Sequence, residues 1–230
     1  ISALGILITY WGILWIGGGE DPYSLEHNLI RKIDIFLLGE SHLYGGTGIQ
    51  FDPEGLLSTI PSVVTVLIGY LVGSMLHTTK DFLDNVKRMS IFGIGLIIVG
   101  IIWGLTFPIN KQLWTSSYVL FTGGIATLFL CALCYMVDIK KWKKPLWVFQ
   151  IFGTNSIFLF VLSGLWTKII LRLRFDFEGQ SISGYGYLYK TLFVPIGGDM
   201  FGSLLFAIAH LVGFWLVLLW LYRKKIFINL

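Results

Sequence analysis

Two carboxylates, Asp52 and Glu54, flank Pro53 just before an apolar run that is long enough to enter a bilayer. Gly55 lets the chain turn, and the run that begins at Leu56 is typical of a helix, so both acids are predicted near its positive end. As catalytic residues they could hold a cationic amine or remove its proton. The alternative is structural, because acids in a first helical turn are ordinary partners of the helix dipole.

His42 lies ten residues before Asp52, in an outer loop that also contains Tyr44 and a glycine-rich turn. A histidine and a carboxylate that meet there would suit acid and base chemistry. A single loop histidine is, however, more often simply solvated. The stretch NLIRKIDIFLLGESHLYGG that contains His42 is amphipathic, which favours a segment that lies along the membrane surface.

The polar connection TFPINKQLWTSSY contains Asn110 and Lys111. Pro108 ends one helix there, and one of the hydroxyl residues Thr115, Ser116 and Ser117 is expected to cap the next. Asn110 and Lys111 are candidates for substrate binding on the same face as Asp52. A well-capped hairpin with an interfacial lysine explains the same pattern.

Two further candidates for substrate binding lie in apolar segments nearer the C-terminus. Asn155 is predicted inside an apolar helix, where its amide either bonds another helix or lines a pocket. His210 is predicted in the middle of the last apolar segment, where an ionisable residue indicates function unless packing satisfies it.

The elements that position these residues follow from the composition. Hydrophobic residues make up 55% of the chain and charged residues 13%, with a mean hydropathy of +0.77, which excludes a soluble domain. We predict an all-α, multi-pass transmembrane helical bundle, treated as a single transmembrane domain over 1–230. Six hydrophobic segments are predicted, at 1–17, 56–76, 90–107, 114–137, 146–170 and 200–222, and we expect the first to be a truncated span.

The distribution of charge predicts the orientation. The loops 77–89 and 138–145 and the tail 223–230 contain ten of the seventeen basic residues but three of the thirteen acidic ones. By the positive-inside rule this side, with the C-terminus, is cytoplasmic, and the long loops with Asp52 and Glu54 face away from it. The formal net charge of +4 does not indicate nucleic acid as a partner, because the basic residues lie in short clusters between apolar runs.

Cys131 and Cys134 have the CxxC spacing but lie inside an apolar run. A zinc site or disulfide there would lack polar support, so small core residues are the better interpretation and no metal is expected. The chain begins at Ile1, inside an apolar segment that is short for a full span. We expect it to be part of a longer protein.

Five ordered motifs resemble the C-terminal part of the heparan-α-glucosaminide N-acetyltransferase family, including its bacterial, NagX-like members. They are IDIFLLGESHLY, FDPEGLLSTIPSVVTVLIGYLVG, FPINKQLWTSSYVL, GTNSIFLF and the terminal YRKKIF. The resemblance begins near Asn28 and runs to the C-terminus. His42, the DPEG acids, Asn110, Lys111 and Asn155 all match positions in these family motifs.

The resemblance implies an enzyme that takes acetyl from cytoplasmic acetyl-CoA and places it on the amine of a terminal glucosamine across the membrane. It implies about eleven helices, with the family's proposed active histidine upstream of this chain, so none of His27, His42, His77 and His210 inherits that role. For the bacterial members it implies an inner-membrane location. We expect no activity from this part of the chain alone.

Acetyl transfer to an amine needs a neutral nitrogen and stabilisation of a developing oxyanion. Asp52 or Glu54 would hold the amino sugar or take its proton, while Asn110, Lys111 or Asn155 would donate hydrogen bonds. A sugar permease and a non-catalytic membrane scaffold remain alternatives. The expected partners are an amino-sugar substrate, membrane lipid and, through exposed polar helix faces, a second copy of the chain.

Overall fold

The computed structural model describes residues 3–46, 48–142, 144 and 146–228. It divides into two compact units, Ile1–Lys141 (unit 1) and Trp142–Leu230 (unit 2). Lys143, one of the basic residues in the loop 138–145, lies outside the described residues. That the whole chain forms one transmembrane domain stays a prediction.

Unit 1 contains α1 (Ala3–Gly17), α2 (Leu29–Leu38), α3 (Thr59–Met75), α4 (Phe82–Gly104) and α5 (Ser116–Cys134). Short 3-10 turns lie at Glu40–His42 and Leu56–Ser58, and a π-helical turn at Tyr135–Ile139 extends α5. Asp81 and Thr115 begin α4 and α5, because their side chains accept the N–H groups of Leu83 and Tyr118. The prediction that a hydroxyl residue caps the helix after the Pro108 turn is confirmed.

Glycines allow α4 and α5 to pack closely. A Cβ at Gly124 would lie 2.6 Å from the carbonyl oxygen of Gly93, and one at Gly100 would lie 2.7 Å from the backbone nitrogen of Phe121. Small residues at a helix interface are the usual device by which membrane helices approach each other. The helices α1 and α3 complete the core around buried Leu7, Val64, Ile68, Met89 and Val119.

Unit 2 begins with α6 (Trp147–Thr154) and α7 (Ser156–Arg172), which are bent by 77° relative to each other. The strands β1 (Arg174–Phe177) and β2 (Gln180–Ser183) then form an antiparallel hairpin in which Phe177 pairs with Gln180. The turn residues Glu178 and Gly179 have φ values of 54° and 77°, as a two-residue hairpin turn requires.

The hairpin leads into α8 (Gly184–Leu188), a π-helical turn (Tyr189–Phe193) and α9 (Val194–Arg223). Gly198, at φ 66°, interrupts α9 near its start. The region 171–199, which lies between the fifth and sixth predicted segments, is therefore mostly hairpin and helix. Ile151, Leu218 and Leu221 are buried where α6 packs against α9.

The predicted multi-pass, all-α architecture is confirmed. Among the described residues, four helical stretches are long and apolar enough to cross a membrane, and the bent pair α6–α7 raises the number to five. The first segment is a shorter apolar helix, and the fifth is broken at Asn155, so neither is a simple span. Many apolar side chains on these helices point outward, for example Ile91, Val66 and Tyr70, as lipid-facing surfaces require.

Candidate functional site

The DPEG turn holds its two acids differently from a simple helix cap. The Asp52 carboxylate accepts the backbone N–H of Glu54 at 2.9 Å, and the Asp52 carbonyl accepts the N–H of Gly55 at 3.1 Å. The 3-10 turn and then α3 follow directly. Asp52 is half-buried and Glu54 is exposed. Both lie ahead of α3, as predicted, but neither side chain accepts a hydrogen bond from an N–H group of that helix.

The acceptor for the first N–H of this helical stretch comes from another helix. Asp34, on α2, is fully buried, and its Oδ1 accepts the backbone N–H of Leu56 at 3.1 Å. Its Oδ2 is also buried and has no hydrogen-bond partner among the described residues. A Cβ at Gly55 would lie 2.1 Å from this Oδ2, so the backbone of the DPEG turn passes directly over the carboxyl group.

Burial raises the pKa of the Asp34 carboxyl, and the negative charge of Asp52 raises it further, while the Leu56 N–H opposes the shift. The two cations of α2 do not neutralise Asp34. Arg31 donates from Nε to the Gln50 carbonyl at 2.9 Å and lies 3.5 Å from the Glu40 carboxylate. Lys32 donates to the Gly17 carbonyl at 3.2 Å. The carboxyl group therefore favours its protonated form more than an ordinary aspartate does.

Aromatic packing connects the DPEG turn with the Asn110–Lys111 turn. Phe51, which precedes Asp52, is fully buried in one cluster with Tyr10, Phe107 and Leu113. The Tyr10 hydroxyl donates to the Leu113 carbonyl at 2.6 Å, and Leu113 follows Asn110 by three residues. The structure thus brings the two predicted outer motifs to one end of unit 1.

Asn110 serves the local fold. Its Oδ1 accepts the N–H of Gln112 at 2.8 Å and that of Leu113 at 3.4 Å, and its own N–H donates to Thr115 Oγ1 at 3.0 Å. This is the well-capped hairpin described above as the alternative. Lys111 is exposed, and its side chain makes no hydrogen bond or ion pair with a described residue, so its ammonium is available to a ligand.

His42 does not pair with Asp52. Its ring is exposed in the 3-10 turn, and its closest polar contact is Ser41 Oγ, 3.4 Å from Nδ1. The Phe51 N–H donates to the Tyr44 carbonyl at 3.0 Å, so the loop does return to the DPEG turn. His42 therefore lies exposed in the loop that leads back to the DPEG turn, without a carboxylate partner among the described residues.

The placement of Asn155 inside an apolar helix was wrong. Asn155 lies at the break between α6 and α7, with φ −138° and ψ 43°, and its carbonyl accepts the first hydrogen bond of α7 from Leu159. Its buried side chain donates to the Ile226 carbonyl at 3.1 Å and accepts the Ile228 N–H at 2.8 Å. The amide thus anchors the C-terminal tail, and a role in substrate binding stays a prediction.

His210 lines a cavity of about 420 Å³ in unit 2, with Trp166 and Phe214 among the other lining residues. Its Nδ1 lies 2.9 Å from the Phe206 carbonyl oxygen, and because a carbonyl can only accept, Nδ1 carries the proton. In the neutral ring Nε2 is then an acceptor. The aromatic rings of Tyr185, Phe206 and Trp166 surround the imidazole. The packing alternative for His210 fits this environment, while a binding role stays a prediction.

Cys131 and Cys134 are both free and buried, as expected of core residues. Among the described residues, no three His, Cys, Asp or Glu side chains are grouped to hold a metal ion.

Two curated proteins align with this chain. The heparan-alpha-glucosaminide N-acetyltransferase of Homo sapiens is 34% identical over 56% of this chain and 22% of its own length. That of Mus musculus is 34% identical over 65% of this chain and 26% of its own length. The chain is homologous to part of these enzymes. The family resemblance drawn from the five motifs is thereby confirmed, although no family model matches.

The chain spans about a quarter of the length of these heparan-alpha-glucosaminide N-acetyltransferases. The acetyl donor, the acceptor and the direction of transfer are therefore matters of proposal for the protein that contains it. The two alignments do not test the roles predicted for the site residues, which stay predictions.

Sequence reasoning missed Asp34, a fully buried acid at this end of unit 1. A signal was present, because Asp34 follows Ile30 by four residues and therefore lies on the same face of α2. Ile30 is fully buried. A carboxylate on the apolar face of an amphipathic helix is a better site candidate than the exposed acids of a loop.

Proposed function

We propose that the protein containing this chain is a membrane N-acetyltransferase that transfers acetyl from cytoplasmic acetyl-CoA to the amine of a glucosamine-type sugar across the membrane. The observation that carries the proposal is a convergence at one end of unit 1. The DPEG acids, the buried Asp34 and the Asn110–Lys111 turn meet there. They do so in a chain homologous to heparan-alpha-glucosaminide N-acetyltransferases.

The reaction joins the amine nitrogen to the thioester carbonyl carbon and breaks the carbon–sulfur bond, so CoA leaves as its thiol. An amino sugar arrives largely as an ammonium ion and must lose a proton before it attacks. Asp52, half-buried beside the exposed Glu54, would bind that ammonium and take its proton. The unpaired Lys111 ammonium would donate a hydrogen bond to a sugar hydroxyl or to the carbonyl oxygen.

The donor would be bound on the opposite side. The basic residues around Lys80, Lys87 and Lys140 suit the phosphates of CoA, but the positive-inside rule accounts for them equally well. We therefore assign no donor-binding residue in this chain. The family's active histidine is expected elsewhere in the protein, so within this chain Asp52 and Glu54 would serve the amine and Lys111 would assist as a hydrogen-bond donor.

A sugar permease is the second candidate, and unit 2 favours it through two features. The apolar pair α6–α7 is broken by 77°, and transporters commonly build substrate sites at such breaks. The cavity beside His210, of about 420 Å³, lies in the same unit. However, the Asn155 side chain at the break is already hydrogen-bonded to the tail residues Ile226 and Ile228. The break therefore serves as a structural junction. Acetyl transfer remains the better-supported function.

The test is transport-coupled acetylation by the full-length protein in sealed proteoliposomes. Labelled acetyl-CoA is supplied on the cytoplasmic-facing side and glucosamine on the other, and the product is N-acetylglucosamine on the far side. The variant Asp52→Asn removes the charge with little change of shape. A charge-assisted hydrogen bond contributes about 1.5–3 kcal/mol, so kcat/KM for the amine should fall roughly 10- to 100-fold.

The matched control is Glu26→Gln, an equal change at an exposed acid ahead of α2. It should leave the rate unchanged. If glucosamine crosses the membrane without acetyl-CoA and no labelled product forms, the protein is a permease instead. A scaffold would be established if the folded wild type shows neither turnover nor transport and Asp52→Asn changes only its assembly.

A further inference from the structure

We call Asp34 and Asp52 the acid pair of the DPEG turn, because Asp34 lies beneath Gly55 and Asp52 begins the same turn. Asp34 is fully buried, with one oxygen that has no partner among the described residues, and Asp52 is half-buried. We propose that Asp34 holds a proton while this acid pair is empty and releases it when a cationic amine binds at Asp52. The pair would thus exchange a proton for the charge of the substrate. This inference rests on the proposed function, in that the amine is its substrate.

The first argument is the hydrogen bonding of Asp34. One oxygen accepts the Leu56 N–H at 3.1 Å, but Oδ2 is buried without any donor among the described residues. An ionised carboxylate needs donors or cations at both oxygens, and a buried one that lacks them pays a large desolvation cost. A carboxylic acid in the same place carries no net charge and loses much less. The empty site therefore favours the protonated form.

The second argument is the charge of the surroundings. On α1, the Tyr10 hydroxyl donates to Leu113 and not to Asp34. On α2 itself, Arg31 and Lys32 are bound to Gln50, Glu40 and Gly17. The 3-10 turn that follows α2 presents Glu40 and an exposed His42, and the DPEG turn presents Asp52 and Glu54. Each element that packs around Asp34 thus brings negative charge, a neutral group or a cation already bound elsewhere.

The third argument concerns what a ligand changes. Asp52 acts on Asp34 as a negative charge, and this repulsion favours the Asp34 proton. An ammonium ion bound to Asp52 neutralises that charge, so the repulsion that favours the Asp34 proton is removed and Asp34 holds its proton less tightly. The proton leaves to solvent while the amine keeps its own protons at this stage. Binding of the amine is consequently linked to proton release.

The direct test is infrared difference spectroscopy of the full-length protein in detergent, because a protonated carboxyl group and a carboxylate absorb at different frequencies. Wild type at neutral pH should show a buried carboxylic-acid band that Asp34→Asn lacks and Glu26→Gln retains. Asn at position 34 keeps an acceptor for the Leu56 N–H, so the fold should persist. In Asp52→Asn the same band should disappear at a lower pH than in wild type.

The exchange is tested by adding glucosamine without acetyl-CoA, with N-acetylglucosamine as the uncharged control. Glucosamine should remove the Asp34 band, and calorimetry in buffers of different ionisation enthalpy should count about one proton released per amine bound. N-acetylglucosamine should do neither, and the released proton should vanish in Asp34→Asn.

The inference is overturned if wild type lacks the acid band, if Asp34→Asn keeps it, or if glucosamine binds without removing it. It is also overturned if glucosamine does not bind. If proton exchange is observed but no acetylated product forms, the proposed acetyl transfer is refuted, while the acid pair stands as a cation-binding site. The two failures are therefore distinguishable.

Discussion

Replacing Gly55 by alanine tests how closely the DPEG turn is held against Asp34. The backbone of Gly55, at φ −58°, suits any residue, so only the space is restrictive. The added Cβ would lie 2.1 Å from Asp34 Oδ2 and 2.8 Å from Ile30 Cγ2. Either the turn or the carboxyl must move, and the bond from Leu56 to Asp34 would lengthen.

The magnitude follows from these contacts. Overpacking of a well-packed site costs about 1–3 kcal/mol, and loss of the buried hydrogen bond adds about 1 kcal/mol. For a chain of this length each kcal/mol lowers the melting temperature by roughly 2–4 °C, so Gly55→Ala should melt about 5–15 °C below wild type. The assay is thermal unfolding in detergent. In Asp34→Ala the alanine at position 55 should cost much less, because the carboxyl is gone.

The control is Gly69→Ala on α3, where an added Cβ would meet no atom within 4 Å. Alanine is the better helix former by about 1 kcal/mol, so this variant should melt at or slightly above wild type. Equal melting temperatures for Gly55→Ala and wild type would refute the close contact. Additive effects of Gly55→Ala and Asp34→Ala would refute the claim that the two residues meet.

Three further predictions concern stability. Because the Asp34 pKa is raised above its ordinary value of 3.8, the unfolding free energy should fall as pH rises from about 4 through the raised value; this loss should be absent from pH-dependent melting curves of Asp34→Asn. Asn155→Ala leaves the tail groups of Ile226 and Ile228 unbonded, so unfolding should cost about 1–3 kcal/mol less and limited proteolysis should cut the tail faster than in Ser163→Ala. Gly124→Ala should destabilise by a similar amount in thermal melts, since its Cβ would lie 2.6 Å from the Gly93 carbonyl oxygen, whereas Gly95→Ala should be neutral.

The apolar segments could be found from sequence because hydrophobicity over about twenty residues is a local property. The segments 56–76, 90–107 and 114–137 correspond to α3, α4 and α5 within a few residues, apart from the first two turns of α4. Those turns contain Asp84, Lys87 and Arg88, whose charge resembled a loop. Asp84 and Arg88 pair at 2.8 Å one helical turn apart, which supports a helix without making it apolar.

The break at Asn155 could not be predicted, because its cause lies seventy residues away in the chain. Nothing in GTNSIFLF itself indicates that the amide bonds the backbone of Ile226 and Ile228. Without the tail, Asn155 would be an unsatisfied polar group that a continuous apolar helix tolerates poorly. With the tail, the amide is bonded on both sides and the helix direction can change.

The DPEG turn shows why the conspicuous acids of a motif are not always the ones that the fold buries. Asp52 and Glu54 stand out beside Pro53 and Gly55. Glu54 is exposed, however, and the Asp52 carboxylate accepts a hydrogen bond from the backbone of its own turn. Asp34 is inconspicuous in IRKIDIF, but the fold buries it beneath Gly55, with one oxygen that no described residue bonds. The glycine of DPEG is then explained by Asp34, since a larger residue would displace the carboxyl. The motif is better understood as one half of a contact whose other half lies on α2. The acid on α2, Asp34, is the one whose pKa the burial raises.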